Sequence, residues 1–268
     1  MMFLAEGGNV FKHEDKTPAT QRINRIDVPT TVQWLEQVTG LSLMDTMVGS
    51  TGKRETSGDI DLALDAKLIT KDAVLGTLVN WCKQQGIPED QIMNSKAKGG
   101  KPAQLDGWID QTGIEVHFKC PINGDAKQGF VQVDFNFLND LKWSRFMLAA
   151  MPDGSAFKGV DRAVLFNSIG KVLGVKVNVN SGVHDRATNE LVTNDPAKMA
   201  HLLIGPTGTV GDLAGVENTI AALRNDPQRD AKLHDFANYL KTSGREMPTL
   251  EASAHPNNWF RYINQRLK

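Results

Sequence analysis

Hydrophobic and polar residues alternate in two segments of the front half of the chain, as they do in strands that are buried on one face. In residues 59–64 every second position is apolar, and in residues 130–138 strict alternation runs from Val131 to Phe137. With two further apolar segments, the predicted strands cover residues 41–48, 59–64, 114–120 and 130–138, the last two joined by the turn-rich residues 121–129.

Apolar residues at helical spacing predict two helices in the same half of the chain. The first covers residues 29–39, with Thr30 or Thr31 as its N-terminal cap and Gly40 as its end. The second opens at residue 70 or 72 and reaches about residue 85. Strands mixed with helices predict an α/β arrangement for this half.

Helical spacing dominates from residue 141 onward, and no internal repeat is visible. Three glycines and a proline in residues 205–211 predict a loop or hinge there. The predicted helices of the rear half cover residues 143–151, 160–173, 197–203, 213–224, 231–241 and 257–267. We therefore predict an α+β chain with an N-terminal arm over residues 1–27, a mixed sheet domain over 28–150 and a mostly helical domain over 151–268.

The composition of the 268 residues is that of an ordinary globular protein, with 40% hydrophobic and 23% charged residues. This balance argues against disorder and collagen-like structure. Lys and Arg total 30 against 31 for Asp and Glu, so the net charge is -1. A strongly basic protein that coats DNA is therefore excluded, and any contact with nucleic acid has to come from local patches.

The number of cysteines and the length of the apolar segments indicate in which cellular compartment the protein is expected. Two cysteines, Cys82 and Cys120, are too few for a disulfide framework and suit a reducing environment. Residues 1–10 lack the basic and apolar segments of a signal peptide, and no stretch is long and apolar enough for a membrane span. We expect a cytoplasmic protein without a membrane partner.

Carboxylates occupy positions where a strand would bring them together. Asp59 and Asp61 lie two apart, so both project from the same strand face, and they repel each other unless a cation lies between them. Mg²⁺ is a hard cation that prefers such oxygen ligands. Asp134 on the strand at 130–138 is a third candidate, provided that the two strands are neighbours. Glu115, which shares a strand face with His117, is its rival.

Three converging carboxylates are the geometry of a two-metal site for phosphoryl or nucleotidyl transfer. Upstream of them, Gly49 and Ser50 close the predicted strand at 41–48 and can expose main-chain N–H groups to phosphate oxygens. The nearby Lys53 does not make a P-loop, because the first glycine of that motif is missing and a strand follows instead of a helix.

A Gly-Ser pair, a short polar linker and Asp-Ile-Asp-Leu, followed later by an aspartate on a strand, resemble the DNA polymerase beta-like nucleotidyltransferase superfamily. The segment from Glu55 to Leu62 is most similar to the palm motif of family X DNA polymerases. The resemblance covers about residues 40–180. It implies a mixed nucleotidyltransferase sheet with flanking helices in the catalytic domain, and a nucleotide- or acceptor-binding role for the mostly helical region after it.

The resemblance also implies roles for individual residues. Asp59 and Asp61 would bind both of two metal ions, Mg²⁺ or Mn²⁺, and Asp134 would ligate the catalytic ion and help to activate the acceptor hydroxyl. Gly49 and Ser50 would contact the triphosphate.

Further nucleotide contacts are implied for basic and hydroxyl residues. Lys53 or Arg54 in the linker would help to hold the triphosphate. Ser155 and Arg162 match a stretch in which a Gly-Ser pair precedes a helix that faces the incoming nucleotide.

These implications predict a metal-dependent enzyme that moves a nucleoside monophosphate from an NTP or dNTP to an acceptor hydroxyl and releases pyrophosphate. The expected acceptor is the 3′ end of RNA or DNA. The alternatives are a small-molecule or protein nucleotidyltransferase, and an inactive binding protein on the same scaffold. Which nucleotide is used, whether a template is read and the oligomeric state stay open.

Two basic segments leave alternatives open. Lys96, Lys98 and Lys101 form either a solvated loop or a loop that contacts phosphate. The aromatic and basic residues of the predicted helix at 257–267 either pack on the core or form a nucleic-acid surface.

Overall fold

The computed structural model describes residues 9–96 and 103–243. It divides into two compact units that separate between Leu141 and Lys142, before the predicted boundary at residues 150 and 151. Helices and open sheets occur together, so the fold class is α+β, as predicted. The expected helix at 257–267 lies outside the described residues, as do residues 1–8 of the expected arm.

The first unit contains six strands and three α-helices within the described residues. They are β1 (Ile23–Asn24), α1 (Val28–Thr39), β2 (Thr56–Ser57), β3 (Asp59–Asp65), α2 (Lys71–Gln84), α3 (Glu89–Ile92), β4 (Ile109–Thr112), β5 (Glu115–Pro121) and β6 (Phe130–Leu138). The main sheet has the order β3-β6-β5-β4, with β3 parallel to β6 and the other two pairs antiparallel. The predicted strands at 59–64, 114–120 and 130–138 are thereby confirmed, whereas β4 was not predicted.

Helix α1 begins one residue earlier than predicted, with Asp27 as its N-terminal cap and a proline in its first turn. The predicted cap by Thr30 or Thr31 is wrong, because both residues lie inside the first turn. The Thr31 hydroxyl donates a hydrogen bond to the Asp27 carbonyl at 2.8 Å instead. The predicted end is confirmed, since Gly40 adopts a left-handed φ of 70° and donates its N–H to the Glu36 carbonyl.

Helix α2 is capped by Thr70, whose hydroxyl oxygen accepts the Ala73 N–H at 3.2 Å. Its buried side chains, Val74, Leu78 and Cys82, belong to the same hydrophobic core as the apolar face of β3 and β6. The helices therefore pack on one face of the sheet and leave the polar side chains of these strands on the other face.

The predicted strand at 41–48 is wrong. The segment forms a short 3-10 turn at Met44–Thr46, and it pairs with the sheet only where Met47 bridges Leu62. The Glu36 carboxylate accepts the N–H groups of Leu43 and Met44 at 2.6 and 3.0 Å. These local hydrogen bonds turn the chain where the hydrophobic pattern alone predicts an extended segment.

The second unit contains five α-helices and a three-stranded antiparallel sheet within the described residues. They are α4 (Leu141–Met147), α5 (Gly159–Val172), β7 (Val175–Asn178), β8 (Gly182–Asp185), β9 (Leu191–Thr193), α6 (Pro196–Leu203), α7 (Val216–Ala222) and α8 (Arg229–Thr242). The predicted helices at 143–151, 160–173, 197–203, 213–224 and 231–241 are present with shifted ends. The sheet was missed, because its strands have only three or four residues each and too few positions to show alternation.

The longest described helices, α2, α5 and α8, have 14 residues each. Among residues 9–96 and 103–243, no helix combines the length and the apolar content that a membrane crossing requires.

A buried ion pair joins the turn before α8 to the interior of the second unit. Lys232 is 4% exposed, and its ammonium group donates hydrogen bonds to the Asp226 carboxylate at 2.7 Å and to the Leu203 carbonyl at 3.0 Å. Burial acts to raise the pKa of Asp226, but the hydrogen bonds from Lys232 and from the Gln228 N–H, together with the charge of Lys232, outweigh it and hold that pKa below its usual value. The ionised carboxylate therefore stabilises the folded unit.

We expect Asp226→Asn to lower the free energy of unfolding of the second unit by about 2 kcal/mol at neutral pH, since a buried ammonium loses its charged partner. Because the pKa of Asp226 is lowered in the folded protein, its ionised carboxylate stabilises the fold fully at pH values above the ordinary pKa of Asp, about 4. This stabilisation is lost as the pH falls through the pKa that Asp226 has in the folded protein. Urea unfolding from pH 7 to pH 3 should show the variant and the wild type converging in acid. Asp153→Asn at an exposed position is the control, and a difference independent of pH would contradict the assignment.

Candidate metal centre

The parallel pairing of β3 with β6 brings three carboxylates together. The register places Asp61 directly opposite Asp134 and Asp59 opposite Gln132. Ile60 and Val133 point to the other face, where both are fully buried. One ligand oxygen from each of Asp59, Asp61 and Asp134 lies within 4.8 Å of the others. β3 and β6 are therefore neighbours in the sheet, as the predicted convergence of the three carboxylates required.

The donor set of this cluster fits a hard divalent cation. Asp134 is 9% exposed, while Asp59 and Asp61 are half-buried, so the cluster is set into the sheet face but stays accessible. Carboxylates at such separations repel one another in the absence of a positive charge. Three carboxylate oxygens are the ligand type that Mg²⁺ and Mn²⁺ prefer, and other ligand positions can be filled by water or phosphate.

A loop of residues 47–55 is tied to β3 beside the cluster. The Val48 N–H donates to the Asp61 carbonyl at 3.0 Å, and the Asp61 N–H donates to the Thr51 hydroxyl at 3.0 Å. Thr51 is buried, so this side chain fixes the main chain of Asp61. The loop and the carboxylate therefore form one local structure.

Gly49 is the point where this loop passes closest to the carboxylates. It has a left-handed φ of 63°, and a Cβ at this position would lie 2.6 Å from Asp61 Oδ2. Only glycine leaves room for the carboxylate in its present orientation. Gly49 is also a predicted phosphate contact, and this steric requirement is a second reason for a glycine at this position.

The other residues predicted to contact the triphosphate lie on the same loop. The Ser50 carbonyl accepts hydrogen bonds from the Lys53 N–H at 3.1 Å and from the Ser57 hydroxyl at 3.2 Å, which closes a turn. Lys53 and Arg54 are exposed at this turn. Their contact with phosphate stays a prediction.

Two residues that sequence reasoning missed hold the Asp134 carboxylate. His117 Nδ1 lies 2.7 Å from Asp134 Oδ1, and Gln132 Nε2 lies 2.9 and 3.1 Å from Oδ1 and Oδ2. His117 faces Asp134 directly in the β5–β6 register, and Gln132 precedes it by two residues on the same face. Alternation along each strand shows which residues share a face. It does not show that His117 lies opposite Asp134, because that depends on the antiparallel register of β5 and β6.

Glu115, the rival candidate, lies next to the cluster but outside the group of three. Its Oε2 atom is 3.5 Å from His117 Nε2, so His117 has a carboxylate beside each ring nitrogen. Burial raises the pKa of Glu115, and the charge of His117 opposes that shift. Burial acts to lower the pKa of His117, but the hydrogen bond and charge of Asp134 together with Glu115 raise it above its usual value.

Ser155 and Arg162, which the resemblance placed at the nucleotide, lie in the second unit and are engaged there. The Ser155 hydroxyl donates to the Glu217 carboxylate at 2.9 Å. Arg162 is 1% exposed, and its guanidinium donates to the carbonyls of Ala214, Met147, Ala149 and Phe146 at 2.8, 2.7, 3.1 and 3.2 Å. Burial lowers the pKa of Arg162 to about 10. These positions do not support the expected nucleotide contacts, because both side chains are used inside the unit.

Most residues of the two basic segments, the lysine segment at 96–101 and the predicted helix at 257–267, lie outside the described part of the chain. Lys96 is exposed, whereas Lys98 and Lys101 lie outside the described residues. The aromatic and basic residues of the predicted helix at 257–267 also lie outside them.

We expect Gly49→Ala to weaken Mn²⁺ binding by about 10-fold or more, because the new methyl group displaces the Asp61 carboxylate. Gly52→Ala is the matched control: Gly52 has a similar φ of 68°, but its nearest neighbour to a Cβ is Val28 Cγ1 at 3.8 Å. Both variants carry the same backbone strain, of about 1 kcal/mol. Titration of Mn²⁺ followed by electron paramagnetic resonance separates the two effects, and equal losses of affinity would contradict the steric account.

We expect Arg162→Met to lower the free energy of unfolding by about 3 kcal/mol, because buried carbonyl groups lose a charged donor. Arg186→Met is the control, since the Arg186 guanidinium donates to one carbonyl, that of Val175, within the described part of the chain. Urea unfolding measures the loss. If the Arg162→Met protein has wild-type stability but binds triphosphate more weakly, the structural role of Arg162 is contradicted. The predicted contact between Arg162 and the nucleotide would then be supported.

Comparison of the chain with protein-family models, with curated proteins and with solved structures finds no match. The interpretation of the carboxylate cluster therefore depends on its own geometry and chemistry.

Proposed function

We propose that this chain is a metal-dependent nucleotidyltransferase of the polymerase beta-like type. It moves a nucleoside monophosphate from an NTP or dNTP to a hydroxyl group at a nucleic-acid 3′ end and releases pyrophosphate. The observation that carries the proposal is the cluster of Asp59, Asp61 and Asp134, whose ligand oxygens lie within 4.8 Å of one another on two parallel strands.

In this proposal Asp59 and Asp61 would hold two divalent cations, and Asp134 would be a further ligand of the catalytic ion. Bound Mg²⁺ or Mn²⁺ supplies charge neutralisation for the triphosphate and lowers the pKa of the acceptor hydroxyl. Asp134 would also help to activate the acceptor hydroxyl, through the ion that it ligates. Its burial and its hydrogen bonds keep it in one orientation.

The reaction forms one bond and breaks one bond at the α-phosphorus. The acceptor oxygen attacks this phosphorus, the bond to the bridging oxygen of the β-phosphate breaks, and pyrophosphate leaves with that electron pair. The protein contributes mainly position and charge to such a step. The main chain at Gly49 and Ser50 binds phosphate oxygens, and the exposed Lys53 and Arg54 on the same loop add positive charge.

The topology of the first unit supports the assignment of its fold. The mixed sheet β3-β6-β5-β4 has a hydrophobic core shared with α1 and α2 on one face and the carboxylates on the other face. We propose that this unit is the nucleotidyltransferase catalytic domain. The second unit would then bind the nucleotide or the acceptor.

The test is a transfer assay with labelled ribo- and deoxyribonucleoside triphosphates, Mg²⁺ or Mn²⁺, and acceptors of three kinds: nucleic-acid ends, proteins and hydroxylated small molecules. We expect label on nucleic-acid 3′ ends with the wild type, and background transfer with Asp59→Asn, Asp61→Asn or Asp134→Asn, because each variant removes a ligand charge. Asp65→Asn is the control, since Asp65 lies on the same strand but outside the cluster.

If label appears only on proteins or small molecules, the proposed nucleic-acid acceptor is wrong and the proposed nucleotidyltransferase activity stands. Absence of transfer to every acceptor, together with triphosphate binding that does not respond to metal, would overturn the enzyme and leave a binding protein.

A further inference from the structure

Two side-chain donors surround the Asp134 carboxylate. Within residues 9–96 and 103–243, Oδ1 accepts hydrogen bonds from His117 Nδ1 at 2.7 Å and from Gln132 Nε2 at 2.9 Å, whereas Oδ2 accepts only the longer bond from Gln132 Nε2, at 3.1 Å. A carboxylate oxygen has two lone-pair sites. Among the described residues, the hydrogen bonds of Asp134 therefore occupy both sites of Oδ1 and leave one site of Oδ2 for another ligand.

Both donors are themselves held in place. His117 is 5% exposed, is paired with Asp134 in the β5–β6 register, and has Glu115 on its other side. An ionised carboxylate only accepts hydrogen bonds, so His117 donates through Nδ1. The ring cannot turn away without losing its contacts with both carboxylates.

The orientation of the Gln132 amide is set by the N-terminal arm. Gln132 is 3% exposed, and its Oε1 atom accepts the Val10 N–H at 2.9 Å. Because the carbonyl end of the amide is engaged there, the NH₂ end has to face Asp134. A reversed amide would lose the hydrogen bonds at both ends and place an acceptor against a carboxylate.

The arm is anchored well enough to act in this way. The Val10 carbonyl accepts a hydrogen bond from Asn94 Nδ2 at 3.3 Å, and the Lys12 N–H donates to the Leu105 carbonyl at 2.8 Å. Phe11, between them, is fully buried. Val10 therefore belongs to the folded first unit, although the sequence predicted only an irregular arm.

We propose that His117 and Gln132 are positioning residues that orient the Asp134 carboxylate so that Oδ2 faces the metal, and that Val10 of the arm positions Gln132. This inference rests on the proposed function, because it assigns a metal ligand role to Asp134. It adds two side chains and one main-chain group to the site, none of which touches the metal.

The first experiment compares His117→Asn with His117→Gln by Mn²⁺ titration in the absence of nucleotide. The amide nitrogen of Asn reaches the position of Nδ1, whereas that of Gln reaches the position of Nε2. We expect Asn to retain most of the Mn²⁺ affinity and Gln to weaken it by about 10- to 100-fold, as loss of an outer hydrogen bond does at other metal sites. Two variants of similar polarity separate positioning from a general structural effect.

Gln132→Met removes the second donor, and Gln111→Met on the exposed edge strand is its control. We expect the first variant to weaken Mn²⁺ binding by about 10-fold or more and the second to leave it unchanged. In the transfer assay, Gln132→Met should raise the Mn²⁺ concentration that gives half-maximal rate more than it lowers the rate at saturating Mn²⁺.

The contribution of the arm is tested by Val10→Pro, which removes the N–H donor. We expect it to weaken Mn²⁺ binding in the wild-type background and to have no further effect in Gln132→Met, because the two substitutions break the same chain of hydrogen bonds. Additive losses would overturn the role of the arm. If Val10→Pro does not fold, Gln132→Asn, which shortens the amide and breaks both contacts, takes its place, and wild-type Mn²⁺ affinity in that variant would equally overturn the proposal.

Failure of this inference and failure of the proposed function give different results. If Asp134→Asn loses Mn²⁺ binding while His117→Gln and Gln132→Met bind Mn²⁺ like the wild type, the positioning role is overturned and the metal site stands. If Mn²⁺ binding depends on His117 and Gln132 but no acceptor is labelled, the positioning role stands and the transfer reaction is overturned. If the wild type binds no Mn²⁺, both are overturned.

Discussion

The parallel pairing of β3 with β6 is the constraint on which the candidate site depends. Its register places Asp61 opposite Asp134, while the intervening residues of both strands point into a hydrophobic core on the other face. Burial of that core stabilises the pairing, and the pairing in turn holds the carboxylates close to one another against their repulsion. A shift of one residue would exchange the faces and expose the core, so the same hydrophobic pattern specifies the fold and the cluster.

Groups around the cluster determine how its members are oriented. Gly49 leaves room for the Asp61 carboxylate, and the Thr51 hydroxyl accepts the Asp61 N–H. His117 and Gln132 hold Asp134 from the other side. Donors to a carboxylate limit its orientation before a cation binds. Packing and hydrogen bonds therefore constrain both Asp61 and Asp134, and the proposed reaction uses these carboxylates.

Sequence alone predicted the three strands of the site and the convergence of its carboxylates, because alternation with a period of two is a strong local signal. It did not predict the turn at residues 44–46, where the Glu36 carboxylate binds main-chain N–H groups that lie seven and eight residues away in sequence. It also missed His117 and Gln132 as partners of Asp134, since an antiparallel register is set by the whole sheet. Arg162 shows the same limit: four carbonyls from other segments surround its guanidinium, and no local pattern reveals them.

The central claim is that Asp59, Asp61 and Asp134 together bind divalent cations for nucleotidyl transfer. The most direct measurement is anomalous diffraction from crystals of the protein grown with Mn²⁺ and a non-hydrolysable nucleoside triphosphate. The account predicts an anomalous peak about 2.1 Å from an oxygen of each of the three carboxylates, with triphosphate oxygens completing the coordination. Well-ordered triphosphate density without a peak at the three carboxylates, or with Mn²⁺ bound elsewhere, would contradict it.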